Sequence, residues 1–377
     1  MRIRNLTPFA QLVYANEDAQ GRLFDVLIVK QSYHFGEDFR LRRSVEQEPL
    51  NFSDGCFGAV NVTSLRYPSD LVPYKPATDV IVIADAFAPE GRPVEQWDVS
   101  VQAGALSKTL HVTGPREWRH RLGKWQLDDP EPVARVALRY DLAYGGECPG
   151  PEDEILTDER NPVGRGLAHH RHSPKSDPIP APQILATGAL LRGPFQQQEV
   201  AGFGPIPPAW LPRLPLGGTY DDDWVANTWP HWASDYDFAY HNSAATGLKA
   251  DGFFRGDEEI VLTGLHPDQP ELRFCLPGDT VVATLVDGGG ARRVVRLNLD
   301  TVYIDILDAR PEDSLIALTW RMAFLDRDIA LLEIDSVLGG HPMHILRDEQ
   351  GLDPAPHPSG LFTAAAEATR KGSKHVQ

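Results

Sequence analysis

The sequence predicts a mainly β protein in which two tandem, antiparallel β-sandwich-like domains are joined by a long irregular region. Helical periodicity is scarce, whereas short β-branched and aromatic segments recur between Gly, Pro and Asp residues, as is typical of strands. The middle of the chain is instead rich in Pro, Gly and Trp. We expect a β-domain over 1–145, a bridging region over 146–255, a second β-domain over 256–347 and a flexible tail over 348–377.

The strands of the two β-domains are predicted from their apolar character and their flanking turn residues. In the first domain they are Leu23–Phe35, Asp79–Phe87, Trp97–Gly104, Lys108–Gly114 and Pro132–Tyr144. In the second they lie within Asp257–Leu265, Glu271–Gly278, Thr280–Ile306 and Asp313–Leu325. A hairpin is expected to turn near Gly104–Ser107, and the triple glycine Gly288–Gly290 is expected to turn the chain between two strands.

Two pairs of segments suggest that the β-domains arose by duplication. "IVIADAFAPEG" from Ile81 parallels "IVLTGLHPDQ" from Ile260, and "VALRYDLAY" from Val136 parallels "IALTWRMAF" from Ile316. The two offsets are 260 − 81 = 179 and 316 − 136 = 180 residues, which are nearly equal. Two explanations remain open, because strands also resemble one another without common descent.

The bridging region contains a stretch that combines tryptophan with aspartate, "LGGTYDDDWVANTWPHWASDYDF" from Leu216 to Phe238. A short helix is expected to begin near Gly218–Asp221, because acidic residues in a first turn suit the helix dipole. The aromatic content argues for order, since disordered segments are poor in aromatic residues. In the tail, a short helix is expected over "LFTAAAEATRK" from Leu361, and deletion of Pro354–Gln377 is expected to leave the fold intact.

Bulk composition limits the classes of function. The chain has 377 residues and a formal net charge of −17, which argues against general nucleic-acid binding. No apolar run approaches the ~20 residues that span a bilayer, and the N-terminus does not have the pattern of a signal peptide. The three cysteines are far apart and predict neither a disulfide framework nor a zinc site. We therefore expect a cytoplasmic protein without a membrane or nucleic-acid partner.

Residue clusters that suggest chemistry have structural alternatives. The histidines His169, His170 and His172 are too close together to chelate one ion with good geometry, so an exposed loop is favoured over a metal site. The aspartates Asp221–Asp223, Asp235 and Asp237 do not have the order of a calcium loop. A charge cluster at the N-terminus of a helix and an aspartate that caps a turn near Ser234–Asp237 are favoured. The motifs of serine or cysteine nucleophiles and of nucleotide-binding loops are missing. We therefore expect no metal, no cofactor and no enzymatic activity.

The bridging region also contains two arginines among glycines and prolines, Arg165 in "NPVGRG" and Arg213 in "WLPRL". Each is expected to pin the region to an acid of the same chain, such as Asp221, Asp237 or Asp257. The alternative is that they bind a partner. Together with Gly256, the residues expected to organise this region or to bind a partner are Arg165, Trp210, Arg213, Tyr220, Asp221, Trp224, Trp229, Trp232, Asp235, Asp237, Asp257 and Glu258.

Eight stretches between about Val26 and Leu325 occur in an order that resembles a known bacterial family. They are "PATDVIVIADAFAP", "AYGG", "NPVGRG", "GFGPIPPAWLPR", "GTYDDDW", "DYDFAYHNSA", "FFRGDEEIVLTGL" and "CLPG". The family resembled is a bacterial domain family of unknown function that is encoded beside type VI secretion toxins. "DYDFAY" departs slightly from it, with Tyr236 where Phe is common.

The resemblance implies a non-enzymatic adaptor or chaperone. Such a protein is expected to hold a toxin in the cytoplasm, often one with a PAAR-like region, and to help load it onto the secretion spike. Family members are also fused to pentapeptide repeats, which this chain lacks after Leu325. The resemblance supplies no catalytic residues.

Two other functions remain open. The first is a carbohydrate-acting hydrolase or carbohydrate-binding protein that uses the aspartates and tryptophans of the bridging region. Such a hydrolase needs two acids ~5–10 Å apart in a cleft. The second is a structural component of the secretion particle, which would leave the cell with the particle.

Overall fold

A computed structural model describes residues 1–308, 310–325, 328–337, 355–358 and 361. The described part is mainly β and forms several open sheets, which confirms the mainly β class predicted from the sequence. Its strands are β1 (Arg2–Asn5), β2 (Ala10–Glu17), β3 (Leu23–Phe35), β4 (Leu41–Arg43), β5 (Gly55–Cys56), β6 (Leu65–Tyr67), β7 (Asp79–Ile83), β8 (Asp85–Phe87), β9 (Gln96–Ala103), β10 (Leu106–Thr113), β11 (Glu117–Arg121), β12 (Lys124–Leu127), β13 (Arg135–Ala137), β14 (Tyr144–Gly145), β15 (Glu147–Pro149), β16 (Ile155–Thr157), β17 (Arg165–Gly166), β18 (Ile179–Pro180), β19 (Ile184–Ala186), β20 (Glu259–Thr263), β21 (Glu271–Cys275), β22 (Thr280–Asp287), β23 (Arg292–Arg296), β24 (Asn298–Asp305), β25 (Leu315–Phe324) and β26 (Ile329–Val337).

Helical structure is short throughout the described residues. The α-helix α1 spans Asp222–Asn227, which confirms the short helix predicted to begin near Asp221. The 3₁₀ helices are Pro89–Gly91, Tyr140–Leu142, Pro151–Asp153, Leu214–Gly217, Phe238–His241 and Pro311–Asp313.

The largest sheet contains the most deeply buried strands. Its order is β2-β3-β25-β24-β7, with β4 paired to β3. β3 pairs antiparallel with β25, whereas β7 lies parallel to β24. Because both faces of β3, β24 and β25 are covered, these strands are buried along nearly their whole length rather than at alternating positions.

Two further sheets also combine strands from both ends of the chain. One has the order β19-β10-β9-β20-β21 and contains the predicted hairpin, formed by β9 and β10. The other has the order β1-β26-β22-β23, in which β1 pairs parallel with β26. The two strand-rich segments therefore share sheets instead of forming separate sandwiches, which corrects the tandem arrangement expected from the sequence. Pairing between distant strands has no local sequence signature.

The segments that suggested duplication lie in different surroundings. Ile81 belongs to β7, next to a parallel neighbour, and Ile260 belongs to β20, between two antiparallel neighbours. Val136 lies in the three-residue strand β13, whereas Ile316 lies in the ten-residue strand β25. The duplication is not confirmed. The long strand predicted over Pro132–Tyr144 was wrong, because a 3₁₀ helix over Tyr140–Leu142 interrupts it.

The region 146–255 is mostly irregular but contributes short edge strands, such as β19 beside β10 and β18 beside β11. Most of the tail predicted to be flexible, 348–377, lies outside the described residues, as does most of its predicted helix. The tail residues that are described pack against the rest of the protein. Ala355 and Leu361 are buried, and the ring of His357 lies 4.8 Å from that of Tyr74.

Candidate partner-binding surface

Trp210 anchors the irregular region to the main hydrophobic core. Its side chain is 6% exposed, and its ring meets that of Tyr140 edge-on at a centroid distance of 5.7 Å. Tyr140 is itself buried and donates its hydroxyl proton to the carbonyl of Gly204 at 3.1 Å. Burying a large aromatic ring contributes strongly to stability, so Trp210 has a structural role.

Arg213 is buried and holds two parts of the irregular region together. Its Nε donates to the carbonyl of Tyr240 at 2.9 Å, and its Nη1 donates to the carbonyl of Ile206. The guanidinium carbon also lies 5.5 Å from the centroid of the Tyr240 ring. The expected pairing with an aspartate was wrong, because backbone carbonyls take that place. Burial lowers the pKa of Arg213, but an arginine with this shift keeps its charge.

Arg165 also holds two segments together, through hydrogen bonds to oxygen atoms of other residues. Its Nε donates to the carbonyl of Asp141 at 2.9 Å, and its Nη1 lies 3.4 Å from the side-chain oxygen of Gln183. Here too the expected acidic partner is replaced by neutral oxygens. Arg165 therefore ties β17 to the 3₁₀ helix that precedes β14.

The "NPVGRG" and "AYGG" stretches are held against each other by Asn161. This fully buried amide donates to the carbonyls of Tyr140 at 2.8 Å and Tyr144 at 2.9 Å. Gly145 has a φ of +145°, and a Cβ at this position would lie 2.2 Å from the Asn161 carbonyl oxygen. Only glycine allows this approach without a shift of the backbone.

Asp79 joins the irregular region to the largest sheet and was missed by our sequence analysis. Its carboxylate accepts from the backbone N–H of Ser243 at 2.8 Å and from the amide of Asn242 at 2.9 Å. The ammonium of Lys75 lies 2.8 Å away and also donates to the hydroxyl of Thr301 at 2.9 Å. A charge at the start of the apolar run "DVIVI" was the available signal, since a buried charge requires partners.

The best candidate for partner binding is a group of exposed apolar side chains that we call the aromatic surface: Leu214, Tyr220, Trp224, Val225 and Trp229. Leu214 is 51% exposed, Tyr220 52%, Val225 60% and Trp229 66%, while Trp224 is partly buried. All of them lie between the 3₁₀ helix Leu214–Gly217 and the residues just after α1. Exposed apolar residues in one ordered segment are typical of an interaction site, and the rings of Tyr220 and Trp224 lie 4.8 Å apart.

Local hydrogen bonds fix the shape of the aromatic surface. Asp221 caps α1 by accepting from the Trp224 N–H at 3.0 Å, and the Trp224 indole donates to the carbonyl of His231 at 2.9 Å. Asp235 accepts from the N–H and hydroxyl of Thr219 at 2.9 and 2.8 Å. The N–H of Thr219 lowers the pKa of Asp235, because it stabilises the charged carboxylate.

Trp232 and Asp237 make contacts within the segment that follows α1. The Trp232 ring lies 4.4 Å from the ring of Tyr236 and 6.1 Å from that of the buried Phe238. Asp237 accepts from the Ala239 N–H at 2.8 Å and caps the 3₁₀ helix that begins at Phe238. These contacts make both residues parts of the scaffold.

Asp257 and Glu258 lie apart from the two predicted arginines. Asp257 is exposed and pairs with Arg255 at 3.1 Å. Glu258 accepts from the backbone N–H groups of Arg255 at 2.6 Å and Gly256 at 2.9 Å, which closes the turn before β20. The position of Gly256, with a φ of +93°, suits such a turn.

The histidines His169, His170 and His172 form a stacked group. The ring of His169 lies 4.8 Å from that of His170 and 4.7 Å from that of His172. Desolvation, with the charges of the two neighbouring histidines, lowers the pKa of His169. Among the described residues, no group of three or more His, Cys, Asp or Glu side chains is placed to hold a metal ion.

A comparison with known protein families assigns the chain to one of them. A family model described as an uncharacterized protein conserved in bacteria, DUF2169, matches residues 20–321. The chain therefore belongs to this bacterial family of unknown function. No curated protein and no solved structure matches it. Among the residues that the structure describes, no helix combines the length and apolar character needed to cross a membrane.

Proposed function

We propose that this protein is a non-enzymatic adaptor that binds a type VI secretion effector in the bacterial cytoplasm. In this role it keeps the toxin soluble and promotes its loading onto the secretion spike, with the contact made to a PAAR-like or N-terminal region of the toxin. The spike protein is then an indirect partner. The observation that carries the proposal is the aromatic surface, which is exposed and yet fixed in shape.

The aromatic surface suits protein binding because its backbone is already ordered in the free protein, so binding loses little conformational entropy. Leu214, Val225 and Trp229 are displayed on a segment whose backbone is fixed by the caps of Asp221 and Asp235. Preorganised apolar and aromatic side chains gain affinity by avoiding the entropy loss of ordering on binding. Trp and Tyr are also over-represented among residues that dominate binding energy.

The charges around the aromatic surface indicate the chemistry of its partner. Asp221, Asp222 and Asp223 lie beside it at the start of α1, and the whole chain has a net charge of −17. Complementary charge steers association and disfavours wrong partners. We therefore expect an apolar patch rimmed by Lys and Arg on the toxin.

The link to type VI secretion rests on the resemblance of the eight sequence stretches to the toxin-associated family. In the structure some of these stretches contact one another, as with Asp79 and Asn242 or Gly145 and Asn161. The shared stretches thus contribute to the scaffold, and one of them, "GTYDDDW", also supplies Tyr220 and Trp224 of the aromatic surface. Release follows once the spike offers the toxin a surface of higher affinity.

The hydrolase alternative has less support. It depends on Asp221 and Asp237 as a pair of reacting acids, but each accepts from a backbone N–H at a helix start. A carbohydrate-binding role for exposed Trp229 would be detected with soluble glycans. A structural particle component would differ from an adaptor by its presence in secreted material.

Affinity purification from the producing bacterium tests the proposal. The tagged protein is isolated from the cytosol at moderate salt, and the bound proteins are identified by mass spectrometry. We expect one near-stoichiometric partner that contains a toxin or PAAR-like region. The triple variant Tyr220→Ser, Val225→Ser, Trp229→Ser is expected to lose that partner while its melting temperature stays unchanged.

A matched control removes equally exposed apolar groups elsewhere. Val45 and Leu122 are 96% and 99% exposed, so Val45→Ser with Leu122→Ser should retain the partner. If the triple variant retains its partner as fully as this control, the aromatic surface is not the binding site. If the wild-type protein is recovered without any partner from cells that make the secretion machine, the adaptor proposal itself fails.

A further inference from the structure

A pocket of about 360 Å³ opens between β10 and the irregular region. Its apolar walls include Val200, Ile206 and Leu211, and its polar groups include Lys108 and Arg160. Ligand sites in proteins typically have 300–1,000 Å³, apolar walls and a few well-placed polar groups. The aromatic surface contributes none of the residues that line this pocket.

Lys108 lines this pocket, and its ammonium forms no ion pair with an acidic side chain in the described part of the protein. This ammonium donates to the carbonyl of Thr246 at 2.7 Å. Burial lowers the pKa of Lys108 to about 8, an effect that the more distant Glu199 opposes. An ammonium that faces only a neutral oxygen in a largely apolar pocket gains stability when an anion binds to it.

The other two charged side chains that line the pocket, Arg160 and Glu199, are less suited than Lys108 to bind an anion. Arg160 donates its Nε to Asp158 at 2.8 Å and its Nη1 to the carbonyl of Gln198 at 3.2 Å, so its charge is already balanced. Glu199 is exposed to solvent at the edge. Lys108 is therefore the group on which an incoming anion would act.

We propose that this pocket binds a carboxylate attached to an apolar body, with the carboxylate paired to Lys108 and the body packed against Val200, Ile206 and Leu211. A free aliphatic acid has this chemistry, and so does the C-terminal residue of a peptide that ends in an apolar side chain. The inference goes beyond the adaptor function and does not depend on it, because the pocket and the aromatic surface share no residue.

Titration calorimetry with octanoate and 1-octanol tests the ion pair. Octanoate is expected to bind the wild-type protein, and Lys108→Met is expected to weaken octanoate binding at least tenfold while octanol binding stays within threefold. Retained octanol binding shows that the pocket of the variant is intact. The exposed Lys175 supplies the control, since Lys175→Met should bind octanoate like the wild type.

The protonation of Lys108 gives a second readout. After reductive ¹³C-methylation, one lysine signal should titrate near pH 8 and disappear in Lys108→Met. Octanoate should move that titration to higher pH, because the bound carboxylate favours the charged amine. Octanoate binding with equal affinity to the wild type and Lys108→Met would overturn the proposal.

A second calorimetric titration, with peptides, distinguishes the two sources of the carboxylate. The tripeptide Gly-Gly-Leu with a free C-terminus is compared with its C-terminal amide. Binding of the free peptide but not of the amide assigns the pocket to a chain terminus, whereas binding of octanoate alone assigns it to a free acid. Weak specific binding has dissociation constants on the order of 1 mM, so both ligands are tested up to about 10 mM. If neither the free peptide nor octanoate binds in this range, the pocket does not bind apolar carboxylates.

Discussion

The carboxylate of Asp79 accepts a hydrogen bond from the backbone N–H of Ser243, although 164 residues separate them in the sequence. Asp79 begins β7 in the largest sheet, and Ser243 follows the 3₁₀ helix that ends at His241. Because both groups are buried, the bond replaces contacts with water that neither could keep. The irregular region is thus fastened to the sheet by a charge-assisted bond.

Replacement of Asp79 by Asn is expected to destabilise the protein strongly. The change removes the charge that balances Lys75, whose ammonium is 3% exposed and lies 2.8 Å from the carboxylate. Breaking a buried pair by removal of one partner costs about 3–5 kcal/mol. Chemical denaturation, followed by the fluorescence of the tryptophans, measures the free energy of unfolding.

A surface pair provides the comparison for Asp79→Asn. Asp257 pairs with Arg255 at 3.1 Å, but their side chains are 54% and 65% exposed. Asp257→Asn should therefore change the free energy of unfolding by less than about 1 kcal/mol. An Asp79→Asn variant no less stable than Asp257→Asn would show that the buried junction contributes little.

The contact of the chain end with the core leads to a second prediction, which reverses our expectation from the sequence. The Ala355 N–H donates to the carbonyl of Arg296 at 3.0 Å, and the Asn298 amide donates to the carbonyl of Ala355 at 3.0 Å. Leu361 is 7% exposed. Truncation after Asp353 should lower the free energy of unfolding by about 3 kcal/mol, from two hydrogen bonds and the lost apolar burial.

A second truncation separates these contacts from the rest of the tail. A chain that ends after Leu361 keeps Ala355, His357 and Leu361 and should unfold at the same denaturant concentration as the full chain. Both truncated proteins are compared with the full chain by chemical denaturation. Equal stability of all three proteins would support the original expectation that the fold does not need residues beyond Pro354.

The sequence was a good guide wherever structure is decided locally. The apolar run Leu23–Phe35 corresponds to β3 residue for residue, and the turn near Gly104–Ser107 joins β9 to β10. The acidic first turn near Asp221 correctly indicated α1. Each of these features depends on neighbours within a few residues, so composition and spacing were sufficient.

Features that depend on distant partners were not predictable in the same way. The parallel pairing of β7 with β24 brings Asp79 beside Thr301, which no local pattern indicates. The partners of Arg213 are the carbonyls of Tyr240 and Ile206, and every residue has a carbonyl. The sequence can therefore indicate that an arginine needs hydrogen-bond partners, but only the fold determines which oxygens accept from it.

Of the residues nominated for the site, the structure separates scaffold from surface. Trp210, Arg213 and Arg165 are held by internal contacts, so variants at these positions would confuse loss of folding with loss of binding. Tyr220 and Trp229 are more than half exposed. Changes at the exposed pair are thus the informative ones for partner binding.

His241 is placed where protonation is unfavourable in the folded protein. Its ring lies 5.4 Å from that of Tyr240, and its Nε2 contacts the hydroxyl of Tyr236. Burial, together with the positive charges of Arg213, Arg321 and Lys75, lowers the pKa of His241 to about 3. In the unfolded chain a histidine has a pKa of about 6.5.

This difference in pKa predicts a loss of stability in mild acid. Below about pH 6.5 the unfolded chain binds a proton at His241 that the folded protein does not bind, so the free energy of unfolding decreases as the pH falls toward about 3. The contribution is about 1 kcal/mol per pH unit. Denaturation between about pH 6.5 and 5 should give a shallower pH dependence of the free energy of unfolding for His241→Gln than for the wild type. Identical slopes for the two proteins would mean that His241 takes up its proton without unfolding, which the positive charges of Arg213, Arg321 and Lys75 oppose.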